Sequence, residues 1–500
     1  NPLAVTVRAC QNSSCSSLYA SPVTVNLTPS GTPNNWSASP VTFTGSSALQ
    51  FQRTTAGTST LGLTATPTAS NAIQCIVGGV SASCAVTFSS SGFILDVPNL
   101  LANKPTAATL QAVKDDGSQR CVPAWQNVSR SVNFTRTYSN PATGTLPVQI
   151  NGTTVTSNTP LTLSFDSTAS AALTVRYADA GLVSLSANYS GSSGLDAGLV
   201  LTGSDDFVSK PYGLLLQTDT AASCTAADIS CPLYPGGVRA GDPFSLRIQA
   251  VAWQSEGEAL TAAALADNSV TPNFQLNGIV LASQLQAPAG GSNGTLGVSS
   301  YNHGLGAQTT LSNQSVSEVG VFRIAATPPT NAYFGETVSA TVSGLVGRFA
   351  PAYLQAAGEA ALTPSCGSAF SYQGQPMAFA TGQDPRLTVT AFNRQGGVTG
   401  NYDRGSFWRL SLPGRDAYLS VTGKASLDTP GRLQAQGTLT TSQSGADGGD
   451  GARTWRWSGE QLLYTPATVP LADDLPFNAA IRQGFSASAL TDADGACVGN

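Results

Sequence analysis

Few side chains in this chain could run a reaction. Histidine, the commonest general base and metal ligand, occurs once, as His303 in the run Ser300-Tyr301-Asn302-His303-Gly304. A multi-histidine metal site is thereby excluded, and a Ser-His-Asp triad would have to pair that residue with a serine on a strained elbow of the GxSxG kind, which no stretch supplies convincingly. The expected role of His303 is structural or solvent-facing, in a polar loop. Asp492 and Asp494 stand in DADG, and Asp447 and Asp450 in GADGGDG. Both resemble pieces of calcium loops, which gather several carboxylates and carbonyls on one tight turn, but neither completes the pattern ending in glutamate. A plain β-turn is the preferred reading of each and bound calcium the alternative; no other cofactor or metal is expected. Trp455 and Trp457 alternate with Arg456 and so share one face of a strand. Core filling is preferred for them, with a platform for sugar rings or a protein partner as the alternative. The chain reads as a non-enzyme.

Nine cysteines carry the remaining chemistry. Cys10 with Cys15, Cys75 with Cys84, and Cys224 with Cys231 each bracket a short polar segment. No CxxC occurs, so the spacing suits local disulfides formed in an oxidising compartment better than a zinc site. Cys121, Cys366 and Cys497 remain, and one of them must lack a partner within the chain; the partner of Cys497 is expected beyond Asn500.

The elements that must position these residues are strands. In Arg386–Tyr402, RLTVTAFNRQGGVTGNY, Leu387, Val389 and Ala391 alternate with Thr388 and Thr390, the period of a strand buried on one face. Gly396-Gly397 then turns the chain toward Val398-Thr399-Gly400-Asn401-Tyr402. The phrase recurs as GDPFSLRIQA at 241–250 with VTPNF at 270–274, more weakly as ATLQAV at 108–113 with Asp116-Gly117 as the turn and Trp125 beyond, and weakest as VTVRA at 5–9. Successive copies lie about 100 to 140 residues apart, too far for a solenoid and right for whole immunoglobulin-like domains.

Two further phrases repeat. ADAGLVSLSA at 178–187 is echoed by SEVGVFRIAA at 317–326, each with an acid, Asp179 or Glu318, two residues before a glycine and an alternating strand after it. The acid is expected to cap its own turn through backbone N–H groups. FVSKPYGL at 207–214 and FAPAYL at 349–354 place proline in short extended links, which stiffens them. The fold expected is all-β: tandem immunoglobulin-like β-sandwich domains at 1–95, 96–205, 206–346 and 347–500, in an elongated rod.

Composition and charge narrow the classes further. Charged residues make up 10% and hydrophobic residues 41%, which is not the composition of a disordered chain. The net charge of −5, with no basic stripe, argues against nucleic acid as a partner. No apolar run approaches the ~20 residues of a membrane span. Asn1-Pro2-Leu3 opens directly into a strand pattern, so the chain is expected to be a mature or trimmed piece of something longer.

The second half resembles a known family. FSYQGQPM at 370–377 after Cys366-Gly367, followed by LTVTAFNRQGGVTGNY, is similar to the core of MshQ-like proteins, as are FVSKPYGL, GDPFSLRIQA, YNHGLGAQTT at 301–310, SEVGVF and GRFAPAYL. The match runs over roughly 206–500. The resemblance implies a surface protein of a Gram-negative bacterium linked to the mannose-sensitive hemagglutinin pilus, a type IV pilus, and it brings no catalytic residues. The function expected is therefore an extracellular structural or adhesive protein, secreted through the periplasm, with sandwiches as spacers and sheet edges as docking sites. Its partners would be pilus or other cell-surface proteins, including copies of itself in a filament. The alternatives are a carbohydrate-binding surface protein using Trp455 and Trp457 on a glycan, and accessory modules of a secreted enzyme.

Overall fold

A computed structural model describes residues 3–77, 79–88, 91–116, 120–192, 196, 199–218, 224–367, 369–467 and 475–499. Gly117, the turn residue expected after Asp116, lies outside them. Among the described residues the chain is almost wholly strand, and helix is confined to short 3-10 turns such as Ala264–Asp267. No helix among them is long and apolar enough to cross a membrane.

The recurring strand phrase is the core strand of each sandwich. Thr106–Asp115 lies between Ser91–Asp96 and Ser170–Tyr177. Phe244–Val251 lies between Gly213–Thr218 and Thr309–Gln314, and Arg386–Phe392 between Tyr353–Glu359 and Ala452–Tyr464. In all three the alternating apolar residues point inward: Leu110 and Ala112, Leu246, Ile248 and Ala250, Leu387, Val389 and Ala391 are buried. Each buried leucine, isoleucine or valine among them contributes ~1.5–3 kcal/mol, enough to hold register against a one-residue slip that would turn every one of them outward. The faint copy in the first module, Leu3–Arg8, is an edge strand among the described residues, paired with Ser46–Arg53.

A second sheet covers each of the middle two cores. In the second module it runs Leu100–Leu101, Val200–Lys210, Gly181–Ser190, Val128–Asn140, Thr159–Phe165. In the third it is built on Leu276–Ala287 and Gly320–Thr327. Trp125 fills the second core, its ring 4.7–5.9 Å from Phe93, Phe165 and Tyr189. Ser91–Asp96 pairs into this second module, with Phe93 and Leu95 in its core. Val200–Lys210 pairs into the second module and Val346–Phe349 into the third, so these two modules run a few residues past 205 and 346, and only Pro211-Tyr212 and Ala350-Pro351-Ala352 lie between the last strand of one and the first of the next.

His303 does not sit in a polar loop. Ser300–His303 is a strand paired with Leu276–Ala287, and its alternation turns Tyr301 and His303 inward. The imidazole lies 5.2 Å from the Phe274 ring, and burial pushes its pKa down to about 4, so it is neutral at physiological pH. Its Nδ1 meets the Tyr301 hydroxyl at 3.3 Å, a packing contact rather than a catalytic relay.

Candidate functional site at the module joints

The two repeated phrases meet at the joints. Asp179 is wholly buried. Its Oδ1 accepts the N–H of Ala180 at 2.8 Å, capping its own turn, and also the N–H of Asn273 at 2.9 Å, which belongs to the VTPNF segment of the following module. Oδ2 accepts the Thr145 hydroxyl at 2.7 Å. Asn273 answers by donating from Nδ2 to the Thr143 carbonyl at 3.0 Å. One joint further on, Glu318 repeats the arrangement. It accepts Val319 N–H at 3.3 Å in its own turn, then Gly400 N–H at 3.0 Å and Asn401 N–H at 3.2 Å from VTGNY in the last module. Asn401 donates back to the carbonyls of Ser292 and Val319 at 2.8 and 2.9 Å. Hydrogen bonds to a charged group are worth ~1.5–3 kcal/mol each when buried.

The glycine after each acid is required by the same geometry. Gly181 and Gly320 hold φ of 144° and 143°, and a Cβ there would lie 2.9 Å from the Asn140 carbonyl oxygen and 2.5 Å from that of Ala287.

Apolar packing runs through both joints. Ala180, Leu182 and Val208 of the second module belong to the same buried cluster as Leu214, Phe274 and Phe349 of the third. Ala240, Ala287, Val319 and Val321 of the third cluster with Leu354, Tyr402 and Trp455 of the fourth. Among the described residues the core of the first module gathers residues from Val5 to Phe88 and none from the later modules. Neighbouring modules thus share a buried cluster at each of these two joints, while the main core of the second module forms a cluster of its own.

Burial raises the pKa of Asp179 and Glu318 above the ordinary carboxylate range, partly offset by the N–H groups they accept. A carboxyl with a raised folded pKa contributes stability that is fully present below its unfolded value and is lost as pH rises through the folded one. Asp179→Asn keeps an acceptor for Ala180 and Asn273 and turns a donor toward Thr145. Denaturant melts from neutral pH down to about pH 4 should therefore find the variant at least as stable as the parent at neutral pH, with the parent gaining on it as the pH falls. Parallel pH profiles would rule this out.

The acids read as calcium candidates are committed to other partners. Asp492 Oδ1 accepts the N–H groups of Asp494 and Ala496 at 2.9 and 2.8 Å, and its Oδ2 takes the Tyr402 hydroxyl at 2.7 Å. Asp494 forms a forked pair with buried Arg348 of the third module, 2.9 Å at Nη2, and its carbonyl accepts Arg239 at 2.6 Å. The DADG loop is a tie between modules, with its oxygens taken by protein donors. Asp447 and Asp450 lie on the turn joining Leu433–Ser444 to Ala452–Tyr464 and accept Gly405 and Ala452 N–H groups at 2.7 and 3.1 Å. Among the described residues no group of three or more metal-ligating side chains converges.

Trp455 and Trp457 do share a face, and that face is the core: they are 2% and 3% exposed. Trp455 packs 5.8 Å from Trp408, and Trp457 lies 5.6 Å from Phe485 beneath the Arg415 guanidinium. Neither ring is presented to a glycan, because the inward side of Ala452–Tyr464 is what the fourth module buries. Cys10–Cys15, Cys75–Cys84 and Cys224–Cys231 are bonded in the structure. Cys366 and Cys497 are half-buried and unbridged, and Cys121 opens the Cys121–Pro123 strand. Sequence reasoning missed Asn273, Asn401 and Arg348 as joint residues; the shared Val-Thr-x-Asn-aromatic spacing was the available signal for the first two.

Fold and joints define an all-β protein of tandem immunoglobulin-like domains. Models of three successive domains match it: "Domain of unknown function (DUF6701), first Ig-like domain" at 72–204, the second DUF6701 domain at 210–313 and the third at 318–500. The chain thus contains the first, second and third DUF6701 domains in order. Residues 1–68 match a separate domain of unknown function, DUF8613. No curated protein matches. Similar solved structures include the D0-D1 domain of intimin, at 12% identity over 51% of this chain and 97% of that one, TM-score 0.16. Invasin, described as a bacterial integrin-binding protein, is 11% identical over 74% of this chain and 55% of its own, TM-score 0.26. A putative membrane-anchored protein from Corynebacterium diphtheriae is 9% identical over 97% and 92%, TM-score 0.16. Likenesses this loose carry no conclusion about function.

Proposed function

We propose that this chain is an extracellular structural or adhesive protein of a Gram-negative bacterial surface, associated with pili of the mannose-sensitive hemagglutinin type. Its three DUF6701 modules act as a stiff stalk, and the first module is carried at one end of it. The observation that supports this reading most is the repeated joint, in which a buried acid of one module holds the backbone of the next inside a shared core. Links of two or three residues leave little freedom for hinge motion. Inter-module interfaces of ordinary polar character permit it by default. A stalk needs no reaction centre, in keeping with the neutral buried histidine and the committed carboxylates. Pilus proteins, other surface proteins or further copies of this chain are the partners the reading names.

The test is in solution and on cells. Spin labels on the second and fourth modules should give one narrow distance distribution, and a broad one would end the stalk reading. Labelled antibody on native cells should decorate surface appendages in electron micrographs. Signal confined to the periplasm, or to cell bodies with bare pili, would end the pilus association.

A further inference from the structure

Beside the joint between the second and third modules lies a cleft of 380 Å³. Its walls come from Asn140 and Pro141 on one module and from Gln275, Asn277, Tyr333 and Phe334 on the other, and among the described residues no charged side chain lines it. Phe274 and Leu276 turn into the core, so the alternation of that segment leaves Gln275 and Asn277 facing out. Among the described residues the carboxamides of Asn140, Gln275 and Asn277 make no hydrogen bond within the protein. Each offers one acceptor and two donors.

The aromatic wall is held in place at a cost. Phe334 is 39% exposed and has φ of 49°, a left-handed backbone that a bulky residue rarely adopts. Its ring stands edge-on to Tyr333 at 4.9 Å, and Tyr333 in turn packs 5.2 Å from Phe274. The Tyr333 hydroxyl is buried without a hydrogen-bond partner in the protein.

Free amides beside an exposed ring, with no charge, match one ligand chemistry. A neutral sugar presents hydroxyls that both donate and accept, and a C–H face that lies on an aromatic ring. An ionic ligand would find no counter-charge here. A second cleft, 480 Å³ on the fourth module, lacks these free amides. There Arg415 and Tyr418 are already spent on Glu460, at 2.9–3.0 Å.

We propose that the cleft is a saccharide-binding site for neutral glycans, with a sugar ring on Phe334 and its hydroxyls on Asn140, Gln275 and Asn277. This site is independent of the stalk reading, since flexibility in solution and loss of glycan binding are separate outcomes. The full chain should be applied to an array of neutral hexose and N-acetylhexosamine glycans alongside sialylated and sulfated ones, and the bound glycan titrated by calorimetry. Neutral glycans should be selected. Gln275→Ala with Asn277→Ala, and separately Phe334→Gly, should each weaken binding about ten-fold or more. Both should leave thermal melting in place, because the amides are exposed and glycine relieves the left-handed backbone. An array with no neutral glycan bound, selection of acidic glycans alone, or folded variants that bind within about two-fold of the parent would each overturn the proposal.

Discussion

Replacing Arg348 with alanine is expected to lower the unfolding free energy by about 3 kcal/mol. Arg348 leaves the last strand of the third module, Val346–Phe349, and its guanidinium is enclosed between the Cys231 carbonyl, at 3.0 Å, and the forked pair with Asp494. Truncation leaves the Asp494 carboxylate, only 5% exposed, without its two guanidinium donors. Arg409, 3.8 Å from Asp494, compensates in part and keeps the loss at the lower end of the range for broken buried pairs. The size of the effect thus comes from the orphaned charge, not from the worth of the pair. Arg348→Ala combined with Asp494→Ala should therefore be more stable than Arg348→Ala alone. Denaturant unfolding followed by tryptophan fluorescence measures both, and a double variant no better than the single one would refute the account.

Trp455→Ala should cost ~3–5 kcal/mol, the range for an aromatic removed from a packed core. Its ring lies in the cluster that joins the third module to the fourth, against Trp408 and beside Tyr402. The cavity cannot be refilled, because neighbouring rings are pinned: Tyr402 by its bond to Asp492, Trp408 by the Arg453 guanidinium 4.9 Å above it. The loss should appear as a lower denaturation midpoint for the fourth module. A variant of unchanged stability would show that the ring is not part of the core.

Much of the fold was legible because strand alternation is local. Leu387, Val389 and Ala391 declare a buried face within a handful of residues, and the same pattern at 246–250 and 108–112 announces the other sandwiches. Proline in FVSKPYGL and FAPAYL likewise marks the links wherever the chain goes next. The site was legible only by half. The acid before glycine was read as a cap on its own turn, and that bond exists at Ala180 and Val319. Its second partner was invisible, being 94 residues away for Asp179 and 82 for Glu318.

By itself, then, the order of residues determined an all-β chain of repeated immunoglobulin-like modules, its strand faces and its short proline-bearing links, since these follow from periodicity and backbone restriction over short spans. Only the tertiary structure decided that Trp455 and Trp457 are core, that Asp492 braces its own loop while Asp494 ties it to the third module, that His303 is enclosed, and that three amides and a strained phenylalanine share one cleft. Those assignments depend on which distant backbone N–H, guanidinium or ring arrives beside each side chain, and burial rather than residue type then settles whether a polar group is spent or free.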